Sequence, residues 1–274
     1  MTPENAARPA ATVLLLRDGG DGPEVFMVRR HEGTGAFKGA HVFPGGRVDD
    51  RDAEGVEGSW CDGVEHAVRQ LGDLSRDAAL SFHVAAAREL FEEAGVLLAR
   101  CRAGEFVPLD GDGAHARFED YRHAVHTHEQ ALRQVLQAEG LRLALDALTL
   151  YAHWVTPPVE GRRFDTRFFI ARVPRFQTPA HDATETTEGG WITPRTALAA
   201  GAGRGIILPP PTWTTLRELE AFRSVDEILD WSKAREIRRR EPTLVQEDGA
   251  RILAMPDERT RFVWTDGYWR PEDY

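Results

Sequence analysis

The spacing of apolar and polar positions divides the chain into recognisable pieces. Ala11-Thr-Val-Leu-Leu-Leu16 reads as a buried strand and Glu24-Val-Phe-Met-Val-Arg29 as a second; the Gly19-Gly-Asp-Gly22 turn between them predicts a hairpin. A glycine-rich stretch from Gly33 to Ala40 leads into His41-Val-Phe-Pro-Gly-Gly46, where glycine and proline let the backbone turn tightly. Residues 47 to about 76 are polar and charged, with a short helical hint from Gly63 to Leu71. Leu80, Val84, Ala87 and Phe91 recur at helical spacing and predict an amphipathic helix over 77–94, with Gly95 placed to end it in a left-handed turn. Helical periodicity returns as one segment from Phe118 to Glu139. Strand-like runs follow at Leu148–Val155 and Arg167–Val173, on either side of a Pro/Gly turn at 156–161. Thr193 and Pro194 open a short helix as cap and first residue, and further helices are expected over 215–222 and 225–237. The last of these begins with the capping-box pattern Ser224-Val-Asp-Glu227, and Arg251–Met255 and Arg261–Trp264 read as strands. Helices and strands interleave without the regular alternation of a doubly wound sheet, so the expected class is α+β, or mixed α/β.

Composition narrows the functional classes. With 274 residues, 42% of them hydrophobic and 28% charged, the chain can bury an adequate core in one or two globular domains. No apolar run approaches the roughly 18 residues of a membrane span. The first residues lack the basic start and apolar middle of a signal peptide. Cys61 and Cys101 fit reduced thiols, and a cytoplasmic location is expected. The 34 basic and 44 acidic residues leave a formal charge of −10, which argues against nucleic acid or an anionic membrane as partner. A small phosphorylated substrate stays open, because acidic clusters recruit divalent cations that can carry the phosphate charge.

The chemistry concentrates in the helix over 77–94. Glu89, Glu92 and Glu93 stand at i, i+3 and i+4 and share one face. Carboxylates at that density repel one another unless something positive lies between them. Hard oxygen ligands suit Mg²⁺ or Mn²⁺ rather than zinc. Spacing alone leaves a second reading open, a solvated acidic face with Glu92 paired to Arg88.

Phe43-Pro-Gly-Gly46 followed by Arg88-Glu-Leu-Phe-Glu-Glu-Ala-Gly-Val96 resembles the Nudix hydrolase signature. That signature runs Gly-x5-Glu-x7-Arg-Glu-U-x-Glu-Glu-x-Gly-U, with U aliphatic. Arg88, Glu89, Leu90, Glu92, Glu93, Gly95 and Val96 meet every fixed position of its second half. The first half departs: Gly46 and Arg88 lie 42 positions apart instead of fourteen, an insertion of about 28 residues. The first glutamate falls on Asp52 counted from Gly46 and on Leu80 counted back from Arg88, so its role stays unassigned. Trp154-Val-Thr-Pro157, Arg163 to Phe169, Glu185 to Trp191 and Leu208-Pro-Pro-Pro-Thr212 are similar to the branch of peroxisomal acyl-coenzyme A diphosphatases and their bacterial relatives. Residues 271–274, Pro-Glu-Asp-Tyr, do not match the targeting tripeptide of the peroxisomal members, so that address is not expected.

The resemblance implies an α/β/α sandwich with a mixed sheet over residues 1–222, with insertions at about 47–76 and 112–145. A helical C-terminal extension over 223–274 would pack on the same domain. It implies metal-dependent cleavage of the diphosphate linkage of a nucleoside diphosphate conjugate, with coenzyme A or acyl-CoA favoured. A dinucleotide, ADP-ribose or a nucleotide sugar is the alternative, and a non-catalytic ligand-binding or regulatory module the second. Glu92, Glu93 and the Gly45 carbonyl would ligate Mg²⁺ or Mn²⁺, Glu89 would ligate or act as base, and Arg88 would orient Glu89. Glu185 and Glu188, six and three residues before Trp191, are candidates for a further acidic group. Arg29, Arg30, Lys38 and Gly46 are candidates to meet the outer phosphates. The expected partner is the small-molecule conjugate itself, with homodimerisation left open.

Overall fold

The computed structural model describes residues 6–31, 38–56, 60–182, 184–255 and 260–272; most of the glycine-rich stretch, 33–37, lies outside the described residues. Strands β1 (Arg8–Gly19) and β2 (Gly22–Arg30) form the expected hairpin, closed at Gly19 and Gly22. Strands β3 (His41–Val42) and β4 (Gly45–Arg47) then pair with β2 and β1 respectively. The first insertion holds a 3-10 turn (Asp50–Ala53), β5 (Cys61–Asp62) and α1 (Val64–Gln70), and leads into α2 (Arg76–Ala94). After β6 (Ala99–Arg100), the second insertion supplies α3 (Asp112–His126) and α4 (Leu132–Glu139), and then β7 (Arg142–Ala144) follows. The long strands β8 (Thr149–Val155), β9 (Phe164–Arg172) and β10 (Thr186–Ile192) come next, followed by α5 (Pro194–Ala202), α6 (Pro210–Leu219) and α7 (Val225–Ala234). The short β11 (Arg239–Arg240) precedes β12 (Thr243–Glu247), β13 (Ala250–Ala254), β14 (Arg261–Thr265) and β15 (Tyr268–Pro271).

The central sheet runs β10-β2-β1-β9-β8-β11. It is mixed, because β1 pairs with β9 and β8 with β11 in parallel while the other pairs are antiparallel. Alternation along β1 defines its two faces. Ala11, Val13 and Leu15 join a core with Leu80, Leu90 and Phe91 of α2, whereas Leu14 and Leu16 join Leu198, Trp213, Leu216 and Ile228 of α5, α6 and α7. The result is a sheet between two helical layers, the α+β architecture expected.

Four expectations change in detail. The segment 118–139 is two helices, because His128 takes a left-handed φ of 60° after α3 and Ala131 starts α4, its N–H capped by Gln134 Oε1 at 2.8 Å. Helix α6 begins five residues early, since Pro210 and Pro211 suit a first helical turn that needs no N–H partner. The C-terminal extension is not helical throughout: beyond α7 it is the antiparallel meander β12-β13-β14-β15, which contains both expected strands. Leu253, Phe262 and Trp269 of that meander bury against the α5–α7 face. Finally, α2 is buried on every side from Ala79 to Ala94 instead of presenting a polar face to solvent. The two insertions account for this: the 3-10 turn, α1 and α3 all pack against it.

Helix α2 also buries His83 in a fixed protonation state. Gln70 accepts from Leu150 N–H through Oε1 and donates to the Leu148 carbonyl, so its amide nitrogen is the group facing His83 Nε2 at 3.3 Å. Nε2 therefore accepts, and Nδ1 donates to the Ala79 carbonyl at 2.8 Å. Burial pushes the imidazole down to about 4 from 6.5. The unfolded chain thus binds the extra proton between those values, and this contribution to stability is complete above 6.5 and lost as the pH falls toward 4. Unfolding free energies at pH 7.5 and pH 5 should show the gap between wild type and His83→Leu narrowing by about 2 kcal/mol on acidification; an unchanged gap would contradict a neutral buried His83.

Candidate active site

The C-terminal half of α2 positions the charged cluster. Ser75 caps the helix start by accepting from Ala78 N–H at 3.3 Å, and Gly95 ends it in the left-handed region at φ 65°. Between them Arg88, Glu89, Glu92 and Glu93 are 8%, 9%, 5% and 3% exposed, which excludes the solvated acidic face.

Arg88 is the hub. Its Nε and Nη2 donate to the two Asp52 carboxylate oxygens at 2.9 and 3.0 Å, and Nη2 also donates to the Arg47 carbonyl at 2.8 Å. Its Nη1 donates to Glu89 Oε1 at 2.9 Å and to Glu92 Oε1 at 3.2 Å. All five guanidinium N–H groups are thereby used. Burial opposes the charge on Arg88, but Asp52, Glu89 and Glu92 outweigh it and hold the group protonated. Asp52 is the residue that sequence reasoning left without a role. The count from Gly46 is the one the structure follows: the 3-10 turn opens the inserted segment, a few residues after Gly46, and keeps Asp52 within reach of Arg88.

Strand β4 supplies the opposite wall. Glu93 Oε2 accepts from Gly45 N–H at 2.9 Å. Glycine is required at both positions by close approach: a Cβ at Gly45 would stand 2.4 Å from the Ala11 carbonyl oxygen, and one at Gly46 would stand 2.4 Å from Glu89 Oε1. Gly46→Ala therefore displaces the Glu89 carboxylate from Arg88. A crystal structure of Gly46→Ala is expected to show Glu89 Oε1 out of hydrogen-bond reach of Arg88 Nη1, and an unmoved carboxylate would remove Gly46 from this role.

Three carboxylates, Asp52, Glu89 and Glu92, meet a single guanidinium in a dry setting, and the Glu89 charge also reaches Glu93. Burial is the largest influence on Glu89 and pushes it up to about 7; Arg88 pulls it down and the Glu92 charge adds to the rise. Glu92 is also raised, by burial first, against the pull of Arg88, His126 and His128. Burial raises Glu93 well above the usual range, and the charges of Glu89 and Glu185 add to this while Arg30 and the Gly45 N–H oppose it. Among the described residues no three Asp, Glu, His or Cys side chains already converge as a ready cation cage. The chemistry of the set nevertheless fits a hard divalent cation: every donor is oxygen, the buried charge is net negative, and the carboxylates are desolvated.

The remaining candidates separate. The Glu185 charge reaches Glu93, whereas Glu188 pairs with Arg29 at 3.0 Å. Asp182 fixes the Glu185 backbone by accepting from Glu185 N–H and Thr186 N–H, each at 3.0 Å, and the His31 N–H donates to the Glu185 carbonyl. The Arg30 charge opposes the rise at Glu93, while Lys38 is exposed at the edge of the described residues. Arg122 is a second residue that sequence reasoning missed. From α3 its Nε donates to the Glu92 carbonyl and its Nη2 to the Ala180 carbonyl, both at 2.8 Å, tying the glutamate helix to the segment before Glu185.

A helix of buried glutamates laid on a mixed sheet, with a glycine pair against its carboxylates, defines the Nudix class. The crystal structure of a Nudix hydrolase from Alicyclobacillus acidocaldarius is similar, with a TM-score of 0.68 and 29% identity over 82% of this chain and 96% of that one. Residues 63–219 match the family model described as the NUDT19 Nudix domain, and the chain belongs to that family. The human acyl-coenzyme A diphosphatase NUDT19 is 29% identical over 240 residues, and its Xenopus laevis counterpart 26% over 237. These matches cover 76% and 75% of this chain but 63% and 62% of the relatives' own lengths.

Proposed function

We propose that this protein is a divalent-metal-dependent diphosphatase that cleaves the diphosphate linkage of coenzyme A or an acyl-CoA. The observation that carries the reading is the buried excess of carboxylate on α2, held at the spacing of the Nudix signature. The names of the human and Xenopus relatives support the coenzyme A conjugate as substrate class.

Glu89, Glu92 and Glu93 would hold Mg²⁺ or Mn²⁺, together with the Gly45 carbonyl. When bound, such a cation neutralises phosphate oxygens and makes a water acidic enough to attack phosphorus. Arg88 orients Glu89 through a charge-assisted hydrogen bond. Glu89 is the carboxylate of this set that would alternatively deprotonate the attacking water. Glu185 supplies further negative charge beside Glu93, and Arg30 stands on the same side for a phosphate oxygen.

The test is hydrolysis by the purified full chain, with Mg²⁺ or Mn²⁺, of coenzyme A, acyl-CoA esters, dinucleotides, ADP-ribose and nucleotide sugars, with the phosphate-containing products identified. Preferential cleavage of the coenzyme A compounds is the expected result. Turnover of another conjugate instead would replace the substrate class, and hydrolysis of none would leave a binding or regulatory module. In the same assay Glu185→Gln should lower kcat by roughly tenfold and Glu188→Gln should leave it near wild type. The reverse order would transfer the role to Glu188.

A further inference from the structure

A cleft of about 700 Å³ opens away from these carboxylates, on the surface where α1, β8, β9 and the segment from α7 to β11 meet. Its volume is in the range of small-molecule sites. Cations outnumber carboxylates along it, in a protein of formal charge −10: among the described residues Arg69, Arg167, Lys233, Arg235 and Arg239 line it with the carboxylate of Asp73, and of these Arg167, Arg235 and Arg239 pair with Asp73, Glu218 and Glu241. The wall is built rather than merely solvated, since Arg167 and Ser232 are 5% and 3% exposed.

Three lining residues bring buried polar atoms that have no partner among the described residues: Arg167 Nε, Ser232 Oγ and His66 Nε2. Arg167 Nε is 3.9 Å from Asp165 Oδ1, too far for a hydrogen bond, because the other side of the guanidinium is turned to Asp73 at 2.7 Å. Buried polar atoms are ordinarily satisfied; these three lie behind the cleft wall, closed to solvent, and leave hydrogen-bonding capacity unused beside it. At the mouth, Arg69 and Lys233 are exposed and make no ion pair among the described residues. Lys233, Arg235 and Arg239 lie beyond the segment 63–219 that matches the family, so the cleft combines that segment with the C-terminal extension.

We infer that this cleft is a second anion site, which takes a phosphorylated small molecule by its phosphate group. A phosphate offers several acceptor oxygens and up to two negative charges, which complements guanidinium forks and ammonium points at close quarters. The site owes nothing to the glutamate helix: none of Asp52, Arg88, Glu89, Glu92 or Glu93 lines it. Binding there is therefore expected without a divalent cation, and it holds whatever the substrate of the carboxylate site.

Calorimetric titration of the full chain with inorganic pyrophosphate, in metal-free buffer at low salt, tests this. Saturable binding with Kd below about 1 mM is expected, weakened by added sodium chloride. Arg69→Glu with Lys233→Glu, both at exposed positions, should weaken it at least roughly tenfold while thermal melting stays at the wild-type midpoint. Glu92→Gln should bind pyrophosphate as wild type does. Absence of binding, or the same affinity in the charge-reversed protein, would overturn the assignment, as would loss of binding in Glu92→Gln.

Discussion

Glu92→Gln and Glu93→Gln are each expected to lower kcat for diphosphate hydrolysis by between roughly 10²- and 10³-fold, in proteins that remain folded. The two halves of that expectation come from the same geometry. Glutamine keeps the shape of the side chain, and at position 93 its amide oxygen can still accept the Gly45 N–H. What is lost is a buried negative charge, and burial already works against that charge at both positions. Removing it spares the fold a desolvation cost, so the melting temperature should hold or rise while activity collapses. Residues placed for stability alone would behave in the opposite way. Titration of the variants with Mg²⁺ or Mn²⁺, followed by activity and by thermal shift, separates lost metal affinity from lost chemistry. Near-full activity in either variant would remove that glutamate from the cradle.

What could be read from the sequence and what could not follows from where each signal resides. The glutamate helix announced itself locally: apolar residues at helical spacing, a terminal glycine and three carboxylates on one face are all properties of the segment itself. The hairpin of β1 and β2 was legible for the same reason, because a Gly/Asp turn sets its own register. The burial of those carboxylates was not legible, since the cover over α2 comes from the 3-10 turn, α1 and α3, which periodicity does not orient. Glu185 and Glu188 could not be ranked by sequence. They differ by a register shift in β10, which leaves Glu188 opposite Arg29 while the Asp182 turn holds the Glu185 segment. The meander beyond α7 gave only two of its four strands, because its outer strands owe their pairing to neighbours that bury Leu253 and Phe262.

Asp52 shows the same limit most sharply, and it carries the largest expected effect on stability. Counting from Gly46 and counting from Arg88 gave two answers because an insertion breaks additivity along the chain while leaving distances in space intact. The structure puts Asp52 against Arg88 with two hydrogen bonds, and the same carboxylate accepts the Asp49 N–H at 2.8 Å. Asp52→Ala leaves a buried guanidinium missing its best partner, and Arg88→Ala leaves three buried carboxylates without theirs. Each is expected to cost about 3–5 kcal/mol in unfolding free energy. Much of that cost is the penalty for stranding the partner, so the double variant should lose far less than the sum, with a coupling of at least about 2 kcal/mol. Denaturant unfolding of the four proteins of this cycle measures that coupling. Simple additivity would show that the two residues stabilise the fold separately. A strong coupling would mean that the short arm at the start of the insertion is fastened to the glutamate helix by this pair, so that the chain can carry some 28 extra residues before the helix without moving Glu89 from Gly46.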